Sequence, residues 1–263
     1  MPTLRVNGVD IAYDESGRGG PLLLLHAGVA DRRMWDDVLP AFAARFRVVR
    51  FDQRGYGETP LPDGPFVYGA DAAELLRLLG IERAHVVGVS MGGHVALDLA
   101  LARPELVDRL VVVATGIGGW EFGPAMKAGW ADEEAAIERG DFDEAAWINV
   151  RMWLDGPSRG PDEVDPALRR RVFEMQRRAL DYENPAAEGG WLIPERHLKL
   201  GQIASPTLVA VGELDQPDFV RIARHVAEAI PGSRLQVLPG VAHLPPMEAP
   251  QDFASLVVEF LTG

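Results

Sequence analysis

The chain contains no cysteine, which excludes disulfide bonds, thiolate nucleophiles and zinc sites built on thiolates. Positive charge is scarce as well: 26 lysine and arginine residues stand against 39 aspartate and glutamate residues, for a formal net charge of -13. Nucleic-acid binding needs basic patches, which such a chain has little charge to build. We therefore expect no metal site and no nucleic-acid partner.

Long hydrophobic runs are also missing. The longest aliphatic run, PLLLLHAG at 21–28, is far too short to span a membrane. The N-terminal stretch MPTLRVNGVD has no basic start followed by an apolar run, so no secretory signal is expected. These features and the lack of cysteine favour a cytoplasmic protein without a membrane partner.

The apolar segments that are present alternate between strand-like and helix-like patterns. Asn7-Gly8 joins two alternating runs and predicts a hairpin, because both residues tolerate positive φ. Strands that alternate with helices predict an α/β fold with a mostly parallel sheet. The predicted buried strands are 21–28, 47–52, 84–89, 109–116, 207–215 and 234–240, and the predicted helices include 34–45, 71–80, 91–102 and 252–261.

The alternation of strands and helices breaks between about 118 and 194. This interval is helical in pattern and charged, and it contains five of the six tryptophans. We expect a core domain formed by residues 1–117 and 195–263, with residues 118–194 inserted as a helical cap.

Ligands of an open parallel sheet bind beyond the carboxyl ends of its strands, so these ends are where chemistry is expected. They carry His26, Asp52, Ser90, Asp215 and, in the loop after the last strand, His243. A serine hydroxyl becomes a good nucleophile when a base takes its proton, and histidine suits that role near neutral pH. A carboxylate beside the histidine fixes its tautomer and stabilises its charged form.

Ser90 lies between glycines at a strand-to-helix junction, in the stretch GVSMG at 88–92. A sharp turn there holds the serine in a strained conformation, and bulky side chains at 88 and 92 would clash with their neighbours. The turn also places Ser90 at a helix N-terminus, where backbone N–H groups favour a developing oxyanion. We expect the hydroxyl to be presented above the sheet.

These residues resemble the α/β-hydrolase family, in its serine hydrolase branch of small esterases and enol-lactonases. The matching motifs are LLHAG (24–28), DQRGYGET (52–59), GVSMG (88–92), GELD (212–215) and VAHLPPMEAP (241–250). By position, the resemblance implies an α/β-hydrolase fold without a cofactor, with Ser90 as nucleophile, His243 as base and Asp215 as the orienting acid. It also implies an oxyanion hole formed by the backbone N–H groups of Met91 and Gly28.

The sequence departs from the family pattern at Ala27, where a glycine is usual, and a methyl group there tightens the loop that carries Gly28. For the substrate pocket we expect one or two of the cap tryptophans, such as Trp120 or Trp153. His26 is close enough to line the pocket too. A hydrogen bond that holds the oxyanion loop is the other role open to it.

Two residues compete with these assignments. Glu213 lies two positions before Asp215, and an extended chain would point both side chains the same way. His94 lies one helical turn after Ser90 and fits either the core or the site. The family positions favour Asp215 as the acid and His243 as the base.

The expected activity is hydrolysis of a carboxylic ester or lactone through an acyl-enzyme on Ser90, with a small molecule as substrate. Two alternatives stay open: hydrolysis of a carbon–carbon bond or perhydrolysis by the same residues, and binding of a small molecule under the cap without turnover. A serine nucleophile argues against the branches of the family that hydrolyse epoxides and haloalkanes, because those branches use aspartate at this position. The identity of the substrate and the oligomeric state are not predicted.

Overall fold

The computed structural model of the chain describes residues 2–182 and 184–263. Its strands are β1 (Thr3–Val6), β2 (Val9–Ser16), β3 (Gly20–Leu25), β4 (Phe46–Phe51), β5 (Gly64–Val67), β6 (Ala84–Val89), β7 (Val107–Val113), β8 (Ala187–Gly190), β9 (Thr207–Gly212) and β10 (Arg234–Leu238). Its α-helices are α1 (Leu39–Ala43), α2 (Tyr68–Leu78), α3 (Met91–Ala102), α4 (Pro124–Glu138), α5 (Phe142–Asn149), α6 (Pro166–Leu180), α7 (Pro217–Ala229), α8 (Pro245–Glu248) and α9 (Pro250–Thr262). Short 3-10 helices span Arg32–Trp35, Pro104–Leu106, Pro161–Glu163, Arg196–Leu198 and Leu200–Gln202, and a π-helix spans Val150–Asp155.

Eight of these strands form one sheet, in the order β1-β2-β4-β3-β6-β7-β9-β10. The pairs β1-β2 and β2-β4 are antiparallel, and the remaining pairs of this sheet are parallel in the part of the chain that the structure describes. The parallel strands all end at the same edge, which brings the loops that follow them together. The predicted α/β class with a mostly parallel sheet is confirmed.

The predicted hairpin at Asn7-Gly8 is also confirmed. Asn7 has φ 43 and Gly8 has φ 85, and β1 and β2 pair directly on either side of them, with Val6 opposite Val9. Positive φ at both central residues matches the right-handed twist of the strands.

The core lies on both faces of the sheet. In β3, Leu22 and Leu24 pack into one buried cluster, whereas Leu23 and Leu25 pack into the other. Successive side chains of a strand point to opposite faces, so a strand covered on both sides needs a continuous apolar run. This explains the run PLLLL in the sequence.

The single helix expected at 34–45 is wrong, because the structure has two shorter pieces there. A 3-10 helix spans Arg32–Trp35, and α1 begins only at Leu39, with Pro40 in its first turn. Proline has no backbone N–H and its ring clashes with the preceding turn, so one helix cannot continue through it.

The interval 118–194 is mainly helical, as its pattern predicts: it holds α4, α5, the π-helix and α6. It also contains β8, which pairs parallel with β5 in a separate two-stranded sheet. The stretch AEGG of β8 lacks the β-branched and aromatic residues that mark strands, so this strand was not expected. The division into a core and an inserted cap stays a prediction. Within the described residues, no helix is both long and apolar enough to cross a membrane.

Candidate active site

Ser90 occupies the turn between β6 and α3. Its backbone has φ 54 and ψ -114, a conformation that residues with side chains rarely adopt. Its N–H donates to the carbonyl of Val113 on β7 at 2.8 Å, and its own carbonyl accepts from the N–H of His94 at 3.1 Å. Such strain persists only where the surroundings fix it. Here it holds a half-buried serine at the carboxyl end of β6 and the N-terminus of α3.

The glycines beside Ser90 permit a very close approach of three backbone segments. A Cβ atom on Gly88 would lie 2.2 Å from the carbonyl oxygen of Gly92. A Cβ atom on Gly92 would lie 2.1 Å from the carbonyl oxygen of Leu25 and 2.7 Å from that of His26. The expectation that side chains are excluded at 88 and 92 is confirmed, and the turn packs directly on the loop after β3.

Replacing Gly92 by alanine is therefore expected to lower the free energy of unfolding by about 2–3 kcal/mol, since the backbone after β3 must move to admit a methyl group. Thermal unfolding followed by circular dichroism measures this as a fall of roughly 5–10 °C in Tm. Gly20→Ala is the control, because a Cβ atom on Gly20 would meet nothing within 4 Å. Equal Tm values for the two variants would show that the backbone tolerates the methyl group.

His243 and Asp215 form a buried pair at the same edge of the sheet. Nδ1 of His243 lies 2.9 Å from each carboxylate oxygen of Asp215, and both side chains are 1% exposed. One of these oxygens also accepts the N–H of Gln216 at 2.7 Å. The pairing orients the imidazole ring so that Nε2 is the nitrogen left to accept a proton.

Nε2 of His243 is buried, and no hydrogen-bonding group of the described residues reaches it. The hydroxyl of Ser90 is therefore not hydrogen-bonded to His243 in this structure. Catalytic hydrogen bonds are often long before substrate binds and tighten in the complex.

Trp153 of the π-helix lies against the candidate base. Its ring centroid is 4.5 Å from that of His243, and its carbonyl accepts the N–H of His243 at 3.2 Å. Phe219 closes another side of the imidazole ring at 4.7 Å. Trp153 thus contacts the candidate base, and its place in a substrate pocket stays a prediction.

Trp120 is placed elsewhere. Its indole N–H points to the carboxylate of Asp218 at 3.4 Å, and its ring lies 5.8 Å from that of His225. Both partners belong to α7, so Trp120 fastens the start of the 118–194 interval to that helix. The structure brings Trp153 to His243 but does not place Trp120 beside them.

The two expected oxyanion donors lie side by side. A Cβ atom on Gly28 would be 3.5 Å from Cβ of Met91 and 3.4 Å from the hydroxyl of Tyr56. Met91 is the first residue of α3, so its backbone N–H is one of those that the helix leaves without an intrahelical partner. The two N–H groups remain our proposal for the oxyanion hole.

His26 holds the loop that carries Gly28. It is fully buried; its Nδ1 lies 2.8 Å from the carbonyl oxygen of Ala27, and its Nε2 accepts the N–H of Gln53 at 2.9 Å. Burial lowers the pKa of His26 and so keeps its ring neutral. A neutral imidazole has one nitrogen that donates and one that accepts, which matches its contacts with the carbonyl of Ala27 and the N–H of Gln53. Both ring nitrogens are engaged with the backbone, so the geometry favours the bracing role over contact with substrate.

Glu213 turns away from the imidazole of His243. Its carboxylate accepts the N–H of Gly240 at 3.1 Å on the protein surface. The chain is no longer extended after β9, since the N–H of Asp215 returns to the carbonyl of Gly212 at 3.3 Å. The two carboxylates therefore point differently, and Asp215 alone of these two meets His243.

Glu248 holds the loop of the candidate base and was not predicted. Its carboxylate accepts the backbone N–H groups of Ala242 at 3.0 Å and Leu244 at 2.9 Å, one on each side of His243. Arg159 donates to the same carboxylate at 2.6 Å and thereby ties this loop to the 118–194 interval. The stretch HLPPMEAP at 243–250 contains this glutamate but does not indicate its partners.

His94 is half-buried, and its ring contacts Arg196 and Trp191, outside the candidate active site. Its Nδ1 contacts the guanidinium of Arg196, which is stacked on the ring of Trp191 at 4.1 Å. Burial, with the nearby charge of Arg196 as the second cause, lowers the pKa of His94 to about 3. The ring is therefore neutral in the folded state at ordinary pH.

The lowered pKa of His94 makes the free energy of unfolding depend on pH. Below pH 6.5 the unfolded chain binds a proton at His94 and the folded chain does not, so stability falls as the pH is lowered from 6.5 towards 3. We expect His94 to account for a loss of about 2 kcal/mol between pH 7.5 and 5. Urea unfolding at both pH values measures it. In the His94→Gln variant this fall in the free energy of unfolding between the two pH values should disappear. In the His225→Gln variant, which changes an exposed histidine, the fall should remain.

The loop after β4 braces the site through Asp52 and Arg54. Asp52 is fully buried, accepts the backbone N–H groups of Arg32 and Glu58 at 2.8 Å each, and pairs with the Arg32 guanidinium. Arg54 pairs with Asp71 of α2 at 2.6 Å.

A cavity of about 370 Å³ opens at this loop and reaches Gly28. Its size suits a small molecule. Its lining is mostly uncharged and includes three tyrosine side chains. The lining residues are Gly28, Arg54, Gly55, Tyr56, Leu61, Tyr68, Gln176, Ala179, Leu180, Tyr182, Asn184 and Pro185.

Known proteins match both this sequence and this architecture. The pimeloyl-[acyl-carrier protein] methyl ester esterase of Aeromonas hydrophila subsp. hydrophila is 28% identical, with 96% of this chain and 100% of that protein aligned. A 2-hydroxy-6-oxononadienedioate/2-hydroxy-6-oxononatrienedioate hydrolase of Cupriavidus pinatubonensis is 27% identical over 95% of this chain and 90% of its own. The crystal structure of a hydrolase from Pseudomonas aeruginosa PA01 superposes with a TM-score of 0.82 at 30% identity, covering 100% of this chain and 98% of that one. A family model described as the alpha/beta hydrolase fold matches residues 20–250, and this chain belongs to that family.

Proposed function

We propose that the protein is a serine hydrolase that cleaves a carboxylic ester or lactone of small size. One observation carries the proposal. The pair of His243 and Asp215 presents a buried Nε2 without a partner among the described residues, at the sheet edge where the strained turn holds Ser90. A base, its orienting acid and a serine on such a turn are the parts that acyl transfer requires.

The geometry supports the following sequence of steps. The Ser90 hydroxyl oxygen attacks the carbonyl carbon while Nε2 of His243 takes its proton, and Asp215 stabilises the imidazolium. The oxyanion is held by the backbone N–H groups of Met91 and Gly28. His243 then gives the proton to the departing alkoxide, which stays attached to the acyl group when the substrate is a lactone. Water, deprotonated by the same nitrogen, releases the acid and restores the serine.

The two relatives act on differently named substrates, so family membership supports hydrolysis without fixing the bond. A steady-state assay with p-nitrophenyl acyl esters and small lactones tests the proposal. Multiple turnover on an ester or lactone is the expected result. No turnover on any of them would contradict it and favour the carbon–carbon bond or receptor alternative.

A further inference from the structure

Gln176 is a polar residue on the face of α6 that lines the cavity. Gln176, Ala179 and Leu180 all belong to the cavity lining, and their spacing of three and four positions places them on one side of the helix. Gln176 is only 6% exposed. A polar group buried to this extent usually has a hydrogen-bond partner.

The amide oxygen of Gln176 has no such partner. Oε1 is buried, and no hydrogen-bond donor of the described residues reaches it. Among the described residues that line the cavity, it is the only buried side-chain oxygen or nitrogen in this state. A buried acceptor that is left unpaired is unfavourable, and a donor that enters the cavity removes this cost.

Other polar groups of the cavity lining are used by the chain itself. The amide of Asn184 donates to the carbonyl of Leu61 at 3.0 Å and to the carboxylate of Asp63 at 2.8 Å. The hydroxyl of Tyr182 donates to the carbonyl of Gly57 at 3.2 Å. These contacts hold the wall of the cavity together, so these groups differ from the amide oxygen on α6 in already having partners.

The cavity is placed to receive the acyl part of a substrate. It reaches Gly28, one of the two proposed oxyanion donors, so the reacting carbonyl lies at this end. The departing alkoxide must instead lie at Nε2 of His243, which gives it a proton. Trp153 and Phe219 pack against the ring of His243, and these three residues do not line the cavity. The acyl chain therefore extends from Gly28 towards Gln176.

We propose that Gln176 is a specificity-determining residue, whose amide oxygen accepts a hydrogen bond from an amide N–H or a hydroxyl in the acyl group of the substrate. The inference rests on the proposed hydrolase function and names the class of acyl group that it favours. Leu61, Ala179 and Leu180 offer apolar contacts to the methylene groups that join this donor to the reacting carbonyl. An acyl group of the same shape without the donor leaves Oε1 unpaired, and a site that hydrogen-bonds its substrate discriminates strongly against such an analogue.

Matched pairs of p-nitrophenyl esters test this inference. The ester of adipamate ends in CONH₂ and the ester of 6-oxoheptanoate ends in COCH₃, so both are uncharged and similar in shape, and only the first can donate. The same pair is made with one and with two further methylene groups, because chain length decides whether the donor reaches Gln176. With spontaneous hydrolysis subtracted, the wild-type kcat/KM is expected to be at least about tenfold higher for the amide ester at one of these lengths.

Two variants of Gln176 separate the acceptor from the shape of the side chain. Gln176→Met keeps the length and removes the acceptor, so kcat/KM for the amide and ketone esters should become equal within about twofold, chiefly through a fall for the amide ester. Gln176→Glu keeps an acceptor oxygen and should keep the preference for the amide ester. Gln251→Met is the matched control, since it makes the same change at an exposed position of α9 and should leave the wild-type ratio within about twofold.

Equal kcat/KM for the amide and ketone esters at every length in the wild type would overturn the inference while the hydrolase function stands. So would a preference for the amide ester that Gln176→Met does not change. No hydrolysis of any of these esters would overturn the proposed function and this inference with it. Because the wild-type ratios alone can overturn the inference, it stays testable even if Gln176→Met does not fold.

Discussion

Ser90→Ala is expected to lower kcat by about 10⁴-fold or more on any ester that the wild type hydrolyses. The variant lacks the oxygen that bonds to the carbonyl carbon, so no acyl-enzyme forms. Binding and the oxyanion donors remain, and they leave a small residual rate over water. Steady-state release of p-nitrophenol measures the effect.

The matched control for this variant is Ser255→Ala, which also removes one hydroxyl. Ser255 is exposed on α9, where its hydroxyl donates to the carbonyl of Gln251 at 2.8 Å, and its loss should leave kcat unchanged. Turnover by Ser90→Ala at more than about a hundredth of the wild-type rate would show that another group attacks the carbonyl.

Asp215→Asn has the second largest expected effect, a fall in kcat of about 10⁴-fold. The amide keeps the size of the side chain, yet its NH₂ group favours the tautomer of His243 that has the proton on Nε2. The ring then has no lone pair at the nitrogen that faces the substrate. The folded structure is expected to persist, so the measurement pairs kcat with a Tm from the same preparation.

Glu213→Gln tests the choice between the two acidic residues of GELD. Glu213 contacts the backbone of Gly240 and lies two positions from Asp215, so its loss should change kcat by less than about twofold. The reverse pattern, with Glu213→Gln inactive and Asp215→Asn active, would contradict the assignment of the acid.

Much of the fold could be predicted because its signals are local. The continuous apolar run of β3 predicts a strand buried on both faces, and it is one. The rule that loops after parallel strands share one edge predicts that Ser90, Asp215 and His243 lie at the same edge of the sheet, although 125 residues separate the first two. The clash that a side chain at Gly88 would cause with the carbonyl of Gly92 is equally local.

The parts that could not be predicted depend on how distant segments pack. The extended spacing of GELD suggested that both acids point the same way, but β9 ends at Gly212 and the chain turns, which separates them. The sequence pattern of the 118–194 interval predicts helices, but it does not predict which faces of these helices pack against other parts of the chain. It could not show that Trp153 contacts His243 while Trp120 contacts Asp218, or that Glu133 meets Asn149.

Covalent trapping shows whether Ser90 is the nucleophile. The purified protein is incubated with diethyl p-nitrophenyl phosphate, and the adduct is located by mass spectrometry of the intact chain and of its peptides. We expect one diethylphosphoryl group per chain, on Ser90, with loss of esterase activity in proportion to labelling. A stoichiometric adduct on another residue, or full inactivation without modification of Ser90, would contradict it.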